Sequence, residues 1–425
     1  MMPENEGTVT MTTSLDLSTS SYRRLLARPH VLRLLASAIV GHLPVAMTPL
    51  ALLLAVRTDG GTVSLAGLLA AVYGVSAALG QPWWGRALDR HGHTPTLLFT
   101  GLTSAMAFLM LACLPTAQHP AVAGALTTAA GLATPPLEAA LRVLWPEVTA
   151  SRAQLRAALS LDASAQEVVF IVGPLLVLGT GIALGAGAAL GVAALLVLSG
   201  TLVFTTAAPA QSWSPAAQRP TDRLGPLRVR GPRVLALALA GAGTALGALN
   251  VLALDLAETL GAQALSTLIP AALAVGSLAG GLLFGGIRLP GSARQQLAVS
   301  ALGLAVGLTP FLLAPGPIAS LITAVLPGFF LAPLLITVFA LLEDLVPDGT
   351  LGEASAWMIA ALGLGQAAGT AIAGAVGQAG PFLPATVAFA GALLAVVSLL
   401  LGRRALAEAA GPAAESAGPV LSAFS

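Results

Sequence analysis

Lysine is absent from the 425 residues, so all 19 basic side chains are arginine. No Gly-rich loop ending in Gly-Lys-Ser/Thr can exist here, which excludes ATP-driven pumping by such a site within this chain. Charge of either sign is scarce, at 9% of residues, against about 25% in an ordinary soluble domain. A surface so poor in charge cannot be mostly wetted, which excludes a water-soluble multidomain enzyme. The single cysteine, Cys113, excludes an intramolecular disulfide. It lies in an apolar run, where a thiol is expected to pack and stay inert. A net charge of +1 without any dense basic segment excludes nucleic acid as a partner. The five histidines show no zinc-ligand spacing, and no Ser/His/Asp arrangement emerges. Neither an enzyme nor a metal or cofactor site is expected.

What the chain has is apolar length. Hydrophobic residues make up 56%, and the mean hydropathy is +0.89. The 47 Gly and 29 Pro fit membrane helices, which carry more of both than soluble ones. Runs long enough to span a bilayer, at about 20 residues each, fall at 32–56, 64–84, 95–114, 120–143, 158–180, 184–207, 233–256, 262–286, 296–314, 317–342, 354–378 and 382–402. Backbone polar groups in hydrocarbon must bond within the chain, so each run reads as a helix. None alternates as a membrane β-strand would. The expected fold is therefore an all-α membrane protein of twelve transmembrane helices.

Residues 1–20, the greater part of the stretch 1–30, hold Glu4, Glu6 and Asp16 without an apolar core, unlike a cleavable signal peptide. Residues 1–30 are expected to form a disordered cytoplasmic tail, and 405–425 a second one. The polar, Pro- and Arg-rich stretch 208–232 reads as a cytoplasmic linker between a six-helix bundle at 31–207 and another at 233–404. With the N-terminus inside, 18 of the 19 arginines fall on the cytoplasmic side and only Arg57 outside, as the positive-inside rule demands. Trp83, Trp84, Trp145 and Trp357 then fall at inner boundaries, where an indole can keep its N–H wet.

A shift of 196 residues brings the halves into register, placing Gly85 on Gly281 and Gly173 on Gly369. Parallel six-helix repeats of this kind build a substrate site between the halves and expose it to either side by rocking. Between spans 2 and 3 the chain reads Gly85-Arg-Ala-Leu-Asp89-Arg90-His-Gly92-His93. This loop resembles the G-x-L-A-D-R-x-G-R/K loop of the major facilitator superfamily. Gly85, Asp89, Arg90 and Gly92 match, His93 stands at the basic position, and Leu88 replaces a small residue. The resemblance covers roughly residues 30 to 404 and implies two pseudo-symmetric six-helix bundles. It further implies that Asp89 docks against the start of span 11, near Gly352–Ala354, when the protein is open outward; a helix N-terminus stabilises a carboxylate. The alternative is that these charges only set topology. The second-half loop, Gly281 to Arg294, lacks the acid. On span 5, Gly173-Pro174 matches part of the G-x(4)-G-P-x-x-G-G pattern of proton antiporters in the superfamily. Pro174 removes one helix hydrogen bond and permits a kink.

Charges inside the spans are expensive unless paired or functional. Glu138 and Arg142 on span 4 are four apart with the acid first, the favourable pairing order; they read as a structural pair or as a gate. Asp162, one turn into span 5, lies close to Arg156 and Arg142, and a guanidinium would keep it ionised. Glu167 sits roughly 14 Å into the helix with no arginine within a turn. It reads either as a carboxyl that loads and releases protons or binds substrate, or as a protonated packing group. His42, between Gly41 and Pro44 on span 1, can relay protons or hold structure by hydrogen bonding. Asn250 and Gln366 can line a polar cavity or join helices.

These residues, with the resemblance to bacterial members of the superfamily, imply a secondary active transporter of the bacterial inner membrane, multi-pass with both termini cytoplasmic. The expected cargo is a small apolar or amphipathic molecule, exported against protons by alternating access. An importer or facilitator of a small nutrient on the same fold is the alternative. A non-transporting sensor or scaffold is the distant one. The expected partners are a small-molecule substrate, protons and the lipid bilayer, the chain working as a monomer with the proton gradient as its energy source.

Overall fold

Long apolar runs with no water to bond their backbones become long helices, and the computed structural model of the chain is built of little else. It describes residues 22–185, 187–215, 225–262, 264–286, 291–313, 316–377 and 383–408. Most of both expected tails and residues 216–224 of the expected linker lie outside these. Helices α1 (Val31–Thr58), α2 (Val63–His91) and α3 (His93–Cys113) are followed by two short ones, α4 (Pro120–Leu132) and α5 (Leu137–Val148). Then come α6 (Arg152–Leu184), α7 (Ala188–Thr205) and the short α8 (Ala208–Ser212). The second half holds α9 (Arg230–Thr259), α10 (Leu265–Gly286), α11 (Ala293–Leu308), α12 (Pro317–Leu345), α13 (Leu351–Gly377), α14 (Leu383–Leu401) and the short α15 (Arg403–Glu408). No strand occurs among the described residues. Eleven helices are long and apolar enough to cross a membrane, α11 reaching that length with the 3₁₀ turn Thr309–Leu313.

The twelfth span, expected as one helix over 120–143, is α4 and α5 in series. Pro135 and Pro136 are consecutive, so two successive N–H donors are missing and the carbonyls of Gly131 and Leu132 lose their helical partners. Gly131 accepts instead from Thr134 N–H at 2.9 Å, and Leu132 from the indole Nε1 of Trp84 on α2 at 2.5 Å. The chain restarts as α5 once Ala140 N–H reaches the Pro136 carbonyl at 2.9 Å.

Elsewhere the ends follow local chemistry. Thr62 and Ser151 cap α2 and α6 through their side chains, and Ser292 with Gln295 forms a capping box on α11. Gly92, at φ 90°, alone turns α2 into α3. The expected loop around Asp89 is therefore the last turn of α2 itself.

The folded part also runs past the expected tail boundaries. Leu25 and Leu406 are buried, and residues 22–26 are helical. Cys113, expected to pack, is exposed at the last residue of α3.

Helices α1–α7 pack among themselves, as do α9–α14; the two groups meet through α2 with α13, α6 with α10 and α12, and α5 with α13. Within the first group α1 and α7 cross where Gly41 faces Gly200, a spacing that leaves no room for a Cβ on Gly200. The groups touch chiefly at the end of the bundle where most arginines lie. Gly85 of α2 packs on Glu353 and Ala356 of α13, while farther along Ala78 faces Gly363; beyond that Gly67, Gly74 and Gly374 are exposed with open space around them.

Candidate functional site

Four charged or titratable side chains from three helices meet inside the first half. His42 Nε2 on α1 lies 2.9 Å from Glu138 Oε1 on α5. Arg142, one turn further along α5, places Nη2 3.4 Å from Glu138 Oε2 and Nε 2.8 Å from Asp162 Oδ2 on α6. Glu138, Arg142 and Asp162 are buried, and His42 nearly so. The break in span 4 produces this arrangement: it puts Glu138 in the first turn of α5, where the positive end of the helix dipole favours a carboxylate. It also lets α5 turn its acid toward α1. Two carboxylates face one guanidinium and one imidazole, so the cluster is electrically balanced when His42 carries a proton. From the other half, the Phe339 ring of α12 covers Arg142, its centroid 3.7 Å from Cζ.

The cluster reorganises what separate residues suggested. The Glu138–Arg142 pair exists, and Asp162 does meet Arg142, but His42 belongs to the same network. Its partner lies far along the chain and on the far side of the break, so no local spacing announced it.

Glu167 stands apart. Five residues beyond Asp162 on α6, it points about 140° away around the helix, toward the second half, where Ser277 of α10 is the polar side chain that acts on it. No ion pair reaches it among the described residues. The Ser277 hydroxyl is buried and faces Glu167. Asn250 on α9 is exposed and Gln366 on α13 half-buried. Neither joins the cluster; the Gln366 carbonyl instead packs on Gly247 and accepts from Thr370. Helix α6 continues through Pro174 to Leu184, with Gly173 packed against Ala46 and Met47 of α1.

At the arginine-rich end two polar latches tie the halves together, beside an exposed pair of Arg152 on α6 with Asp344 on α12 at 3.5 Å. Asp89 Oδ1 and Oδ2 accept from Gly352 N–H at 3.1 Å and Glu353 N–H at 2.7 Å, the unpaired first-turn donors of α13. Arg86, one turn before Asp89, pairs with Glu353 at 2.5 Å. Arg90 is exposed, and His93 is buried with Trp213 edge-on at 4.6 Å, packing rather than offering a basic surface charge.

The second latch is its counterpart under the 196-residue shift, which takes Gly85 to Gly281 and Ser160 to Ala356. Where Gly85 packs on Ala356, Ser160 donates to the Gly281 carbonyl at 2.6 Å. The same shift carries Asp89 to Gly285. The space a side chain there would take is filled by Ser160 and the hydroxyl of Tyr22, which lies 2.9 Å from Ser160 Oγ and donates to the Leu282 carbonyl at 3.0 Å. Burial holds the Tyr22 hydroxyl above its ordinary pKa, so it stays a donor. Sequence reasoning missed Tyr22, Arg86 and Phe339, and reached Glu353 only as part of the Gly352–Ala354 stretch that the family resemblance set beside Asp89; for the second latch only the shift, applied to Ser160 and Ala356, held a signal.

Comparison with known proteins places the arrangement. A search of curated protein sequences gives no match. Among solved structures, a bacterial homologue of the iron transporter ferroportin, in an outward-facing state, is 18% identical with a TM-score of 0.65, covering 88% of this chain and 99% of that one. The human organic anion transporter MFSD10 (TETRAN) is 17% identical with a TM-score of 0.66, covering 88% of this chain and 100% of its own. At such identities these likenesses show the fold. The family description "Major Facilitator Superfamily" matches residues 34–289, more than half the chain and inclusive of the Asp89 turn and the charged cluster. The chain belongs to the major facilitator superfamily and is a multi-pass membrane transporter.

Proposed function

We propose that this transporter is proton-coupled and exports a small apolar or amphipathic molecule by alternating access. The observation that carries this reading is the pair of acidic sites in the membrane: one balanced by arginine, one without a cation among the described residues. A carboxyl that is always paired stays charged; one that lacks a cation and borders the other half can take up and release a proton as the halves move. Glu167 is that group; the carboxylates around Arg142 keep their charge for as long as the halves stay joined over them. The scarcity of other charges in the spans suits a weakly ionic cargo better than a phosphate ester. The arginine bias supports an inner-membrane placement with both termini cytoplasmic, which makes this conformation outward-facing. The iron and the organic anions named for the two solved structures belong to those proteins.

Everted vesicles energised by respiration test the coupling. An export substrate found from a growth-inhibition panel should release protons from wild-type vesicles, and Glu167→Gln should abolish that release while reaching the membrane in equal amount. Full gradient-driven transport by Glu167→Gln would remove the residue from the mechanism. Accumulation of labelled solute by intact cells would instead show an importer. Placement is tested with a cysteine in the connector, Ser212→Cys in a Cys113→Ser background; an impermeant maleimide should label it only after the cells are opened.

A further inference from the structure

The contact that joins the charged cluster to the second half of the molecule is an aromatic ring. Arg142 spends its edge on its own half, Nε on Asp162 and Nη2 on Glu138. Nη1 is buried and meets no acceptor, a costly state for a donor. The flat face of the guanidinium is covered by Phe339 of α12 at 3.7 Å, and a π face over a cation offsets part of that cost. Among the described residues the charged partners of His42, Glu138 and Asp162 lie within the cluster itself, and the ring is the contact that carries it across the boundary between halves.

Depth gives the ring a role. Arg142 and Phe339 each lie six residues from the arginine-rich ends of their helices, Val148 and Leu345, or about 9 Å. Asp162 and His42 lie ten and eleven residues from Arg152 and Val31, or about 15–17 Å. The stacked pair therefore sits between the arginine-rich end and the rest of the cluster. Phe339 is itself buried, beside the fully buried Leu342.

We propose that Phe339 is the lid of the cluster. Resting on Arg142, it keeps water of the arginine-rich side from His42, Glu138 and Asp162. It lifts off with α12 when the halves part at that end, and only then does the cluster exchange protons with that side. Phe339 acts through Arg142 and is a positioning residue. This rests on the proton-coupled reading above.

The test needs no substrate. Purified protein is placed in vesicles containing a trapped pH-sensitive dye, and a potassium gradient with valinomycin drives protons inward. Wild-type vesicles and Phe339→Tyr, which keeps the ring, should stay tight. Phe339→Ala should raise proton entry several-fold, and Phe339→Leu, which fills most of the space without a π face, should raise it less. Adding Glu138→Gln and Asp162→Asn to Phe339→Ala should remove the leak. Tight vesicles from Phe339→Leu, or from a folded Phe339→Ala, would overturn the lid, as would a leak through Phe339→Tyr or one that persists in the triple variant. Failure of proton export itself would show elsewhere, as absent substrate-driven proton release by wild-type vesicles.

Discussion

Arg142 is the side chain on which the buried charges of the first half depend. Its removal in Arg142→Ala would leave Glu138 and Asp162 buried with only His42 to answer them. Breaking a buried pair on one side costs about 3–5 kcal/mol, so the melting temperature of the purified protein should fall steeply. Arg142→Lys should recover little, because an ammonium is a point charge that cannot hold two carboxylates by a planar edge and stack under Phe339 as well. Replacing the three together, Glu138→Gln, Arg142→Met and Asp162→Asn, should melt closer to wild type than Arg142→Ala does. If Arg142→Ala melts as wild type, the cluster is not an interdependent unit. At this scale the sequence was partly legible. Spacing of four along one helix announces Glu138 with Arg142, and a charge early in span 5 announces a partner for Asp162. It does not announce His42, whose approach to Glu138 depends on the direction α5 takes after two prolines.

Those prolines carry the argument at the level of the helix. Single prolines such as Pro174 leave one carbonyl unpaired and the helix continues; Pro135 and Pro136 together leave two, and it stops. The break survives in a hydrocarbon setting because Trp84 supplies the donor that Leu132 lost. Trp84→Phe keeps the ring but removes that donor, and a carbonyl left without a partner away from water costs about 1–3 kcal/mol. A lower melting temperature is expected for Trp84→Phe, while Trp83→Phe, at an 81% exposed position, should melt unchanged. The tryptophans show where sequence position misleads. All four read as wet boundary residues, yet Trp145 is fully buried, and both its indole N–H and that of Trp357 meet no acceptor. Distance from the end of an apolar run locates a residue along the helix. Which way it faces depends on neighbours that α5 and α13 acquire only in the folded bundle.

In the whole molecule, the 196-residue shift is more than a trace of repetition, because it relates contacts as well as segments. Gly85 on Ala356 and Gly281 on Ser160 are one contact made twice, as two parallel halves facing each other across a pseudo-twofold axis require. The repeat predicts both helix pairs, α2 with α13 and α6 with α10. It does not predict how the second pair is held, since the acid of Asp89 has no counterpart and a tyrosine from before α1 takes its place. The two latches therefore differ in strength. Asp89 makes charge-assisted bonds to two backbone donors, and losing about 2 kcal/mol of them would shift a two-state balance by roughly 30-fold. Tyr22 makes neutral bonds, whose loss at about 1 kcal/mol would shift it by about 5-fold. Ser164, buried on α6 against Gly281, reports the balance when exchanged for cysteine in a Cys113→Ser background. Labelling of Ser164→Cys by a permeant maleimide should be slow, faster with Tyr22→Phe and fastest with Asp89→Ala. Equal rates in all three would mean that neither latch holds the arginine-rich end closed. A larger effect from Tyr22→Phe would place the stronger hold on the segment ahead of the first span.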